Sequence, residues 1–360
     1  MNLRRVLQTA GPLLGLVATW LFFALLAGPS FTRLANQELM LLQTAVVGTA
    51  AVGATWIIVA GGIDLSVGST LALGTMVGAY VLRAGGSPWL AALATVATGA
   101  LVGALIGALV VGRLVQVVSV VGAVVLAGAL SSALPLAARV GLAALAGGLV
   151  ALAVGRLRVS LPLSPFIVTL GLWGALRGLA KGLGDNQPIY PPSMGSLGNL
   201  MLAGRGGLPL GVWVLLVVAL VAGLALKYTV FGQHVVALGS NRETARLCGI
   251  DVPRREVQVY VLGILCAGVA AVLQLSYLSM GDPTTAQGYE LKTIAAAVIG
   301  GASLAGGEGS ILGTLVGALI MTVVDNGCTK LGLDNWVQEL VTGGIIVAAV
   351  ALDRWRAKPE

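Results

Sequence analysis

The chain has 360 residues, 57% of them hydrophobic and 10% charged, with 52 glycines and a mean hydropathy of +0.97. So few charges cannot cover a soluble domain, and the long unbroken apolar runs exclude a β-barrel, whose strands alternate. The net charge of +7 lies mostly in short loops, which marks orientation in a bilayer rather than nucleic-acid binding.

One crossing needs ~20 apolar residues. The pattern therefore predicts an all-α polytopic membrane protein of about 12 transmembrane helices, packed closely through its many glycines. After Arg4 and Arg5, the run Pro12–Ala27 is long and lacks an A-x-A-like cleavage site, so it reads as an uncleaved first span with its N-terminus inside. The following runs are about Glu38–Ala60, a third ending at Leu82, Pro88–Gly112, Gln116–Leu136, Val140–Gly155 and Ser164–Gly182. A polar loop, Leu183–Pro209, comes next, and then Leu210–Lys227, Glu256–Leu278, Leu291–Leu304, Ile311–Gly327 and Trp336–Leu352.

This count places Arg4, Arg5, Arg113, Arg156, Arg158, Lys227, Arg242, Arg246, Arg254, Arg255, Arg354, Arg356 and Lys358 inside, 13 of the 21 basic residues. Both termini and residues 228–255 then face the cytoplasm, and 183–209 faces out, as a docking surface or a passive linker. Val111-Gly-Arg-Leu114 recurs as Val154-Gly-Arg-Leu157, each closing an apolar run with an arginine. Cys248, Cys266 and Cys328 form no C-x-x-C pair, so neither a disulfide framework nor a metal site is implied. His234, the single histidine, reads as a solvated loop side chain.

Four stretches carry the functional argument. In Ala237–Asp251, a polar island between apolar runs, Ser240 and Glu243 have the spacing of a capping box. Gly249 can end the helix and Pro253 is expected to prevent a restart. Thr244, Leu247 and Cys248 share one face of this helix, while Arg242 and Arg246 line another. So short a helix is marginal by itself, which points to a protein partner.

Gly61-Gly-Ile-Asp-Leu-Ser-Val-Gly-Ser69 joins two apolar runs with little room for a loop. Asp64 is an acid near membrane depth, a candidate for the translocation path together with Ser66, or a cap for the next helix. Asp325-Asn-Gly327 offers a similar pair of readings: Asp325 and Asn326 could hydrogen-bond a solute, or close a span at the surface. Gly281–Leu291 and the glycine-rich Ile294–Gly309 form the fourth stretch; no Lys-Ser or Lys-Thr follows Gly309, so no Walker A loop is present. Arg177, Lys181 and Glu339 lie near span ends and can snorkel. No paired-carboxylate, H-E-x-x-H or nucleophile-elbow arrangement supports catalysis.

Glu243-Thr244-Ala245, three residues, then Gly249 resembles the EAA-x-x-x-G loop of ABC importer permeases. The wider Thr229–Ile250 segment, the G-I-D-L-S-V-G motif, Pro165-Phe-Ile-Val-Thr-Leu-Gly171 and the G-Y-E-L turn are similar to the branch that imports ribose, xylose, arabinose and galactose, itself related to branched-chain amino acid permeases. Lys292 and Glu308 depart from that pattern. The resemblance implies one permease domain over 1–360, with a helix pair inserted near 112–155 into a family core of about ten spans.

By the same resemblance, Ser240, Asn241, Arg242, Glu243, Ala245, Arg246, Leu247, Gly249 and Ile250 would couple to cytoplasmic ATPase subunits. It further implies a second permease subunit, a periplasmic or lipid-anchored sugar-binding protein, a monosaccharide substrate and a bacterial inner-membrane location. ATP and Mg would bind the partner ATPase, with no cofactor on this chain. The alternative is a secondary transporter driven by an ion gradient, for which Asp64 and Asp325 would be the embedded acids.

Overall fold

The computed structural model describes residues 3–130, 136–154, 161–202 and 207–356. Arg156, Arg158, Lys358 and most of the second Val-Gly-Arg-Leu copy lie outside these residues. In chain order the helices are α1 (Leu3–Ala27), α2 (Pro29–Thr32), α3 (Leu34–Val59), α4 (Val67–Arg83), α5 (Pro88–Val110), α6 (Leu114–Leu130), α7 (Leu136–Val154) and α8 (Pro165–Leu183). A 3-10 turn, Gly195–Asn199, precedes α9 (Leu210–Tyr228), α10 (Val230–Ser240), α11 (Arg242–Leu247), α12 (Val252–Leu278), α13 (Tyr289–Ile299), α14 (Ile311–Lys330) and α15 (Asn335–Arg356). Six of them, α3, α5, α8, α9, α12 and α14, are long and apolar enough to cross a membrane, and shorter apolar helices accompany them. The protein is an all-helical, multi-pass membrane protein.

The centre is built from α3 and α12, with α4 and α5 packed on α12. Every residue of α3 from Thr44 to Val59 is buried, so its hydroxyls must find partners within the bundle. Thr44, Thr49 and Thr55 each donate to the carbonyl four residues back, at 2.7, 2.7 and 2.8 Å. Along α5, Gly99, Gly103 and Gly107 lie directly on the backbone of α12 at Ile264–Gly268, Tyr260–Val261 and Val257. A side chain at any of the three would overlap α12, so the four-residue glycine stripe sets the approach of these helices.

Helices α6 and α7 pack chiefly on each other and meet the bundle through α5. The base of this pair is closed by a backbone hydrogen bond, Leu161 N to Gly112 O, at 2.9 Å.

Two expected spans differ from the sequence reading. The run Leu291–Leu304 is helical only over the 11 residues of α13, about 16 Å, roughly half of a ~30 Å hydrocarbon core. It stops at Gly300-Gly301, where Gly301 takes φ +94°. The run Ile311–Gly327 does not close at Asp325-Asn-Gly327, because α14 continues to Lys330. The island after α9 also holds more structure than one small helix: α10 fills Val230–Ser240, started by the Thr229 hydroxyl accepting from Gly232 N at 3.1 Å. His234 sits on α10, half-buried rather than solvated in a loop.

Candidate functional site

Helix α10 runs without interruption to Ser240, whose hydroxyl already donates to Val236 O at 2.9 Å. Ser240 therefore does not cap the next helix. Asn241 does, in extended conformation at φ −159°, with its Oδ1 accepting from Thr244 N at 2.9 Å. Glu243 does not complete a capping box and lies 3.5 Å from Arg246 instead. The other end of α11 follows the expected glycine stop: Gly249 takes φ +82°, Gly249 N donates to Arg246 O and Ile250 N to Ala245 O. Pro253 does not prevent a restart. It sits in the first turn of α12, where its missing N–H costs nothing, and Asp251 caps that helix by accepting from Arg254 N at 3.2 Å.

Six residues cannot hold a helix unaided, and two anchors seat α11. Ala245 is buried beneath it. Arg242 reaches back to Glu256 on α12 in a bidentate pair, Nη1 to Oε1 and Nη2 to Oε2, each at 2.8 Å. Glu256 is 8% exposed. Arg242 and Arg246, grouped on one face from spacing, thus part company: Arg242 turns inward, while Glu243, Arg246, Leu247 and Cys248 form the outer surface. Leu247 is 78% exposed, an apolar side chain left uncovered on a loop helix.

Beneath α11 three backbone strands converge. Gly307 N donates to Val59 O at 2.8 Å, which ties the turn after α13 to the end of α3. Gly239 at the end of α10 lies against both, so close that a side chain there would overlap Val59 O. Between this junction and α12 lies a 400 Å³ pocket lined by Gly61, Gly62, Ser240, Arg242, Glu256 and Tyr260, among others. A much larger open cleft, 1970 Å³, runs between α1, α9 and α14 and is mostly apolar.

From the junction, residues 60–66 rise without helical structure to α4. Asp64 Oδ1 accepts from Ser66 N at 2.8 Å and from Ser66 Oγ at 2.7 Å, which orders the turn before α4. Asp64 is 3% exposed, and its Oδ2 has no partner among the described residues. Where α4 begins, Gly68 faces the Ala286 carbonyl and the buried Glu290 carboxylate. Helices α4 and α13, each preceded by a non-helical stretch, thus meet at their N-termini.

One helix pins both unwound stretches. Thr169 of α8 donates to Ile63 O at 3.4 Å, Ser69 donates to Trp173 O at 2.7 Å, and Arg177 Nη1 donates to Pro283 O and Thr285 O at 2.9 and 2.6 Å. Arg177 was expected to snorkel at a span end. It instead satisfies carbonyls of the non-helical stretch before α13, a role that only the fold reveals.

Asp325 and Asn326 belong to separate networks. Lys292 Nζ donates to Asp325 Oδ2 at 2.6 Å, joining α13 to α14. Asn326 exchanges hydrogen bonds with Asn36 of α3, at 2.8 and 3.1 Å. Neither residue closes a span at the surface, since both lie within α14 with their side chains engaged.

A multi-pass helical bundle with unwound stretches packed inside it, and a short capped helix presented at one end, suits a membrane transport permease. The family model described as branched-chain amino acid transport system / permease component matches residues 37–116 and 115–350, and the chain belongs to that family. Among curated relatives, the ribose import permease protein RbsC of Escherichia coli K12 is 34% identical over 328 residues, 90% of this chain and 87% of its own. RbsC of Bacillus subtilis 168 is 33% identical over 97% of this chain and 94% of its own, and the D-allose transport system permease protein AlsC of E. coli K12 is 32% identical over 93% and 88%. No solved structure matches the chain.

Proposed function

We propose that this chain is the permease subunit of an ATP-driven importer for a monosaccharide, a pentose or hexose, in a bacterial cytoplasmic membrane. The observation that carries the reading is α11: a capped helix anchored inward by Arg242 and Ala245 that offers Glu243, Arg246 and Leu247 to a partner. Its position in a permease-family chain makes a cytoplasmic ABC ATPase the fitting partner. Relatives named for ribose and allose support the substrate class.

On this reading the chain makes twelve crossings with both termini cytoplasmic, and two permease subunits assemble with two ATPases and an external binding protein. ATP and Mg belong to the ATPases. Residues 183–209 face outward, where the bridge between Ile189 and Gly281 ties them to the non-helical stretch before α13, so a docked binding protein would act on that stretch. Helices α6 and α7 form a pair inserted into a ten-span core. Support comes from their closed base, the backbone bond between Leu161 and Gly112.

The ion-gradient alternative loses one of its two acids, because Asp325 is neutralised by Lys292. Reconstitution with an ABC ATPase and a sugar-binding protein from the same organism tests the choice. Uptake of ribose, allose or arabinose should require internal ATP. Uptake driven by an ion gradient without the ATPase would overturn the reading.

A further inference from the structure

The pocket beneath α11 has properties that neither packing nor partner docking explains. Its 400 Å³ falls in the lower part of the range for small-molecule sites, ~300–1000 Å³. Tyr260 lines it from α12, is 3% exposed, and its hydroxyl has no hydrogen-bond partner among the described residues. That hydroxyl lies against Gly62, where the Cβ of any other residue would come within 2.6 Å of it. Gly62 therefore packs directly on the hydroxyl at the edge of the pocket, where any side chain would displace it. Buried tyrosine hydroxyls ordinarily find a partner, so this arrangement is open to one.

The remaining polar groups define what that partner is. Arg242 and Glu256 pair with each other on one wall of the pocket, each retaining spare hydrogen-bonding capacity. Ser240, Asn241 and Glu243 complete the polar wall, while Ile57, Leu238 and Val259 supply apolar surface. An ion would have to compete with the Arg242–Glu256 pair. A neutral molecule with several hydroxyls and one apolar face would not.

We propose that this pocket is a binding station for a neutral polyhydroxylated solute of monosaccharide size, contacted by the Tyr260 hydroxyl. The pocket lies between the unwound 60–66 segment and α11, so solute held there has passed that segment and stands at the α11 end. The Arg242–Glu256 pair forms one wall, and displacement of α11 therefore changes the width of the station. The inference rests on the sugar-permease reading and deepens it.

The test uses the full transporter, permease with ATPase and binding protein, in proteoliposomes. Ala60→Cys, at the pocket lining, is introduced with Cys248→Ser, and labelling by a small maleimide from the α11 side is followed with ribose, allose or arabinose present. A transported sugar should slow labelling at least threefold, while sucrose and NaCl should not. Tyr260→Phe should weaken that protection at least fivefold in sugar concentration, with assembly and ATP hydrolysis stimulated by the binding protein retained. Equal labelling with and without a sugar that the wild type transports would overturn the station and leave the permease reading standing, as would unchanged protection in Tyr260→Phe. A wild-type complex that transports none of the three sugars would overturn the permease reading and this inference with it.

Discussion

Arg242 joins the short surface helix to the core, and its partner Glu256 is nearly buried. Removing one member of a buried pair strands the other in low dielectric, whereas exposed pairs contribute little. With Arg242 more than half exposed and Glu256 covered, Arg242→Ala should cost roughly 1–3 kcal/mol, between those limits. A thermal shift in detergent measures the loss, and uptake should fall further than stability does. The swap Arg242→Glu with Glu256→Arg should restore much of both. Asn241→Ala removes the cap at a cost of about 1 kcal/mol. Hydrogen exchange at Thr244–Cys248 should then quicken about fivefold while α12 stays protected, and Asn241→Ser should restore the wild-type rate.

Helix α11 shows which parts of an element can be read from residues alone. Its existence and glycine stop follow from spacing, because Gly249 can adopt the positive φ that ends a helix without steric cost. Its start does not follow, since Ser240 and Asn241 are both good caps and the choice depends on α10 having already engaged Ser240. The early end of α13 is hidden for a related reason. Apolar composition continues through Leu304, and only packing of Gly300 against Gly313 and Thr314 shows that the chain turns there. Arg177 is similarly opaque, because its carbonyl partners lie more than a hundred residues away. The α6–α7 pair, by contrast, is visible as an internal echo. Excising residues 114–160 should leave the rest inserted, because Gly112 and Leu161 are already hydrogen-bonded neighbours. Cysteine accessibility on either side of the pair should be unchanged in the shortened chain, and an inverted pattern would show that the pair sets topology.

Across the molecule, α12 links the features described above. Its 27 residues extend about 40 Å, from Glu256 under α11, past Tyr260, to Gln274, which donates to Thr285 Oγ1 at 2.9 Å in the non-helical stretch before α13. A force applied to α11 therefore has a continuous route to both unwound stretches. The route depends on α12 staying rigid against α5, and Gly103→Val tests that. The new side chain would meet the Tyr260 carbonyl and the Val261 backbone, so destabilisation of about 1–3 kcal/mol or failed assembly is expected. Size-exclusion profiles and thermal unfolding would register either result, and a wild-type profile would show that the stripe tolerates spreading.

Glycine serves two opposite mechanical ends in this protein. On the flank of α5 it acts as a weld, bringing two helices so near that they have no cushion of side chains on which to slide. At residues 61, 301, 306 and 307, all with positive φ, it lets the chain bend where a side chain would be strained. Straight spar and sharp corner are thus written with one residue type, told apart by whether the glycine lies along a helix or beyond its end.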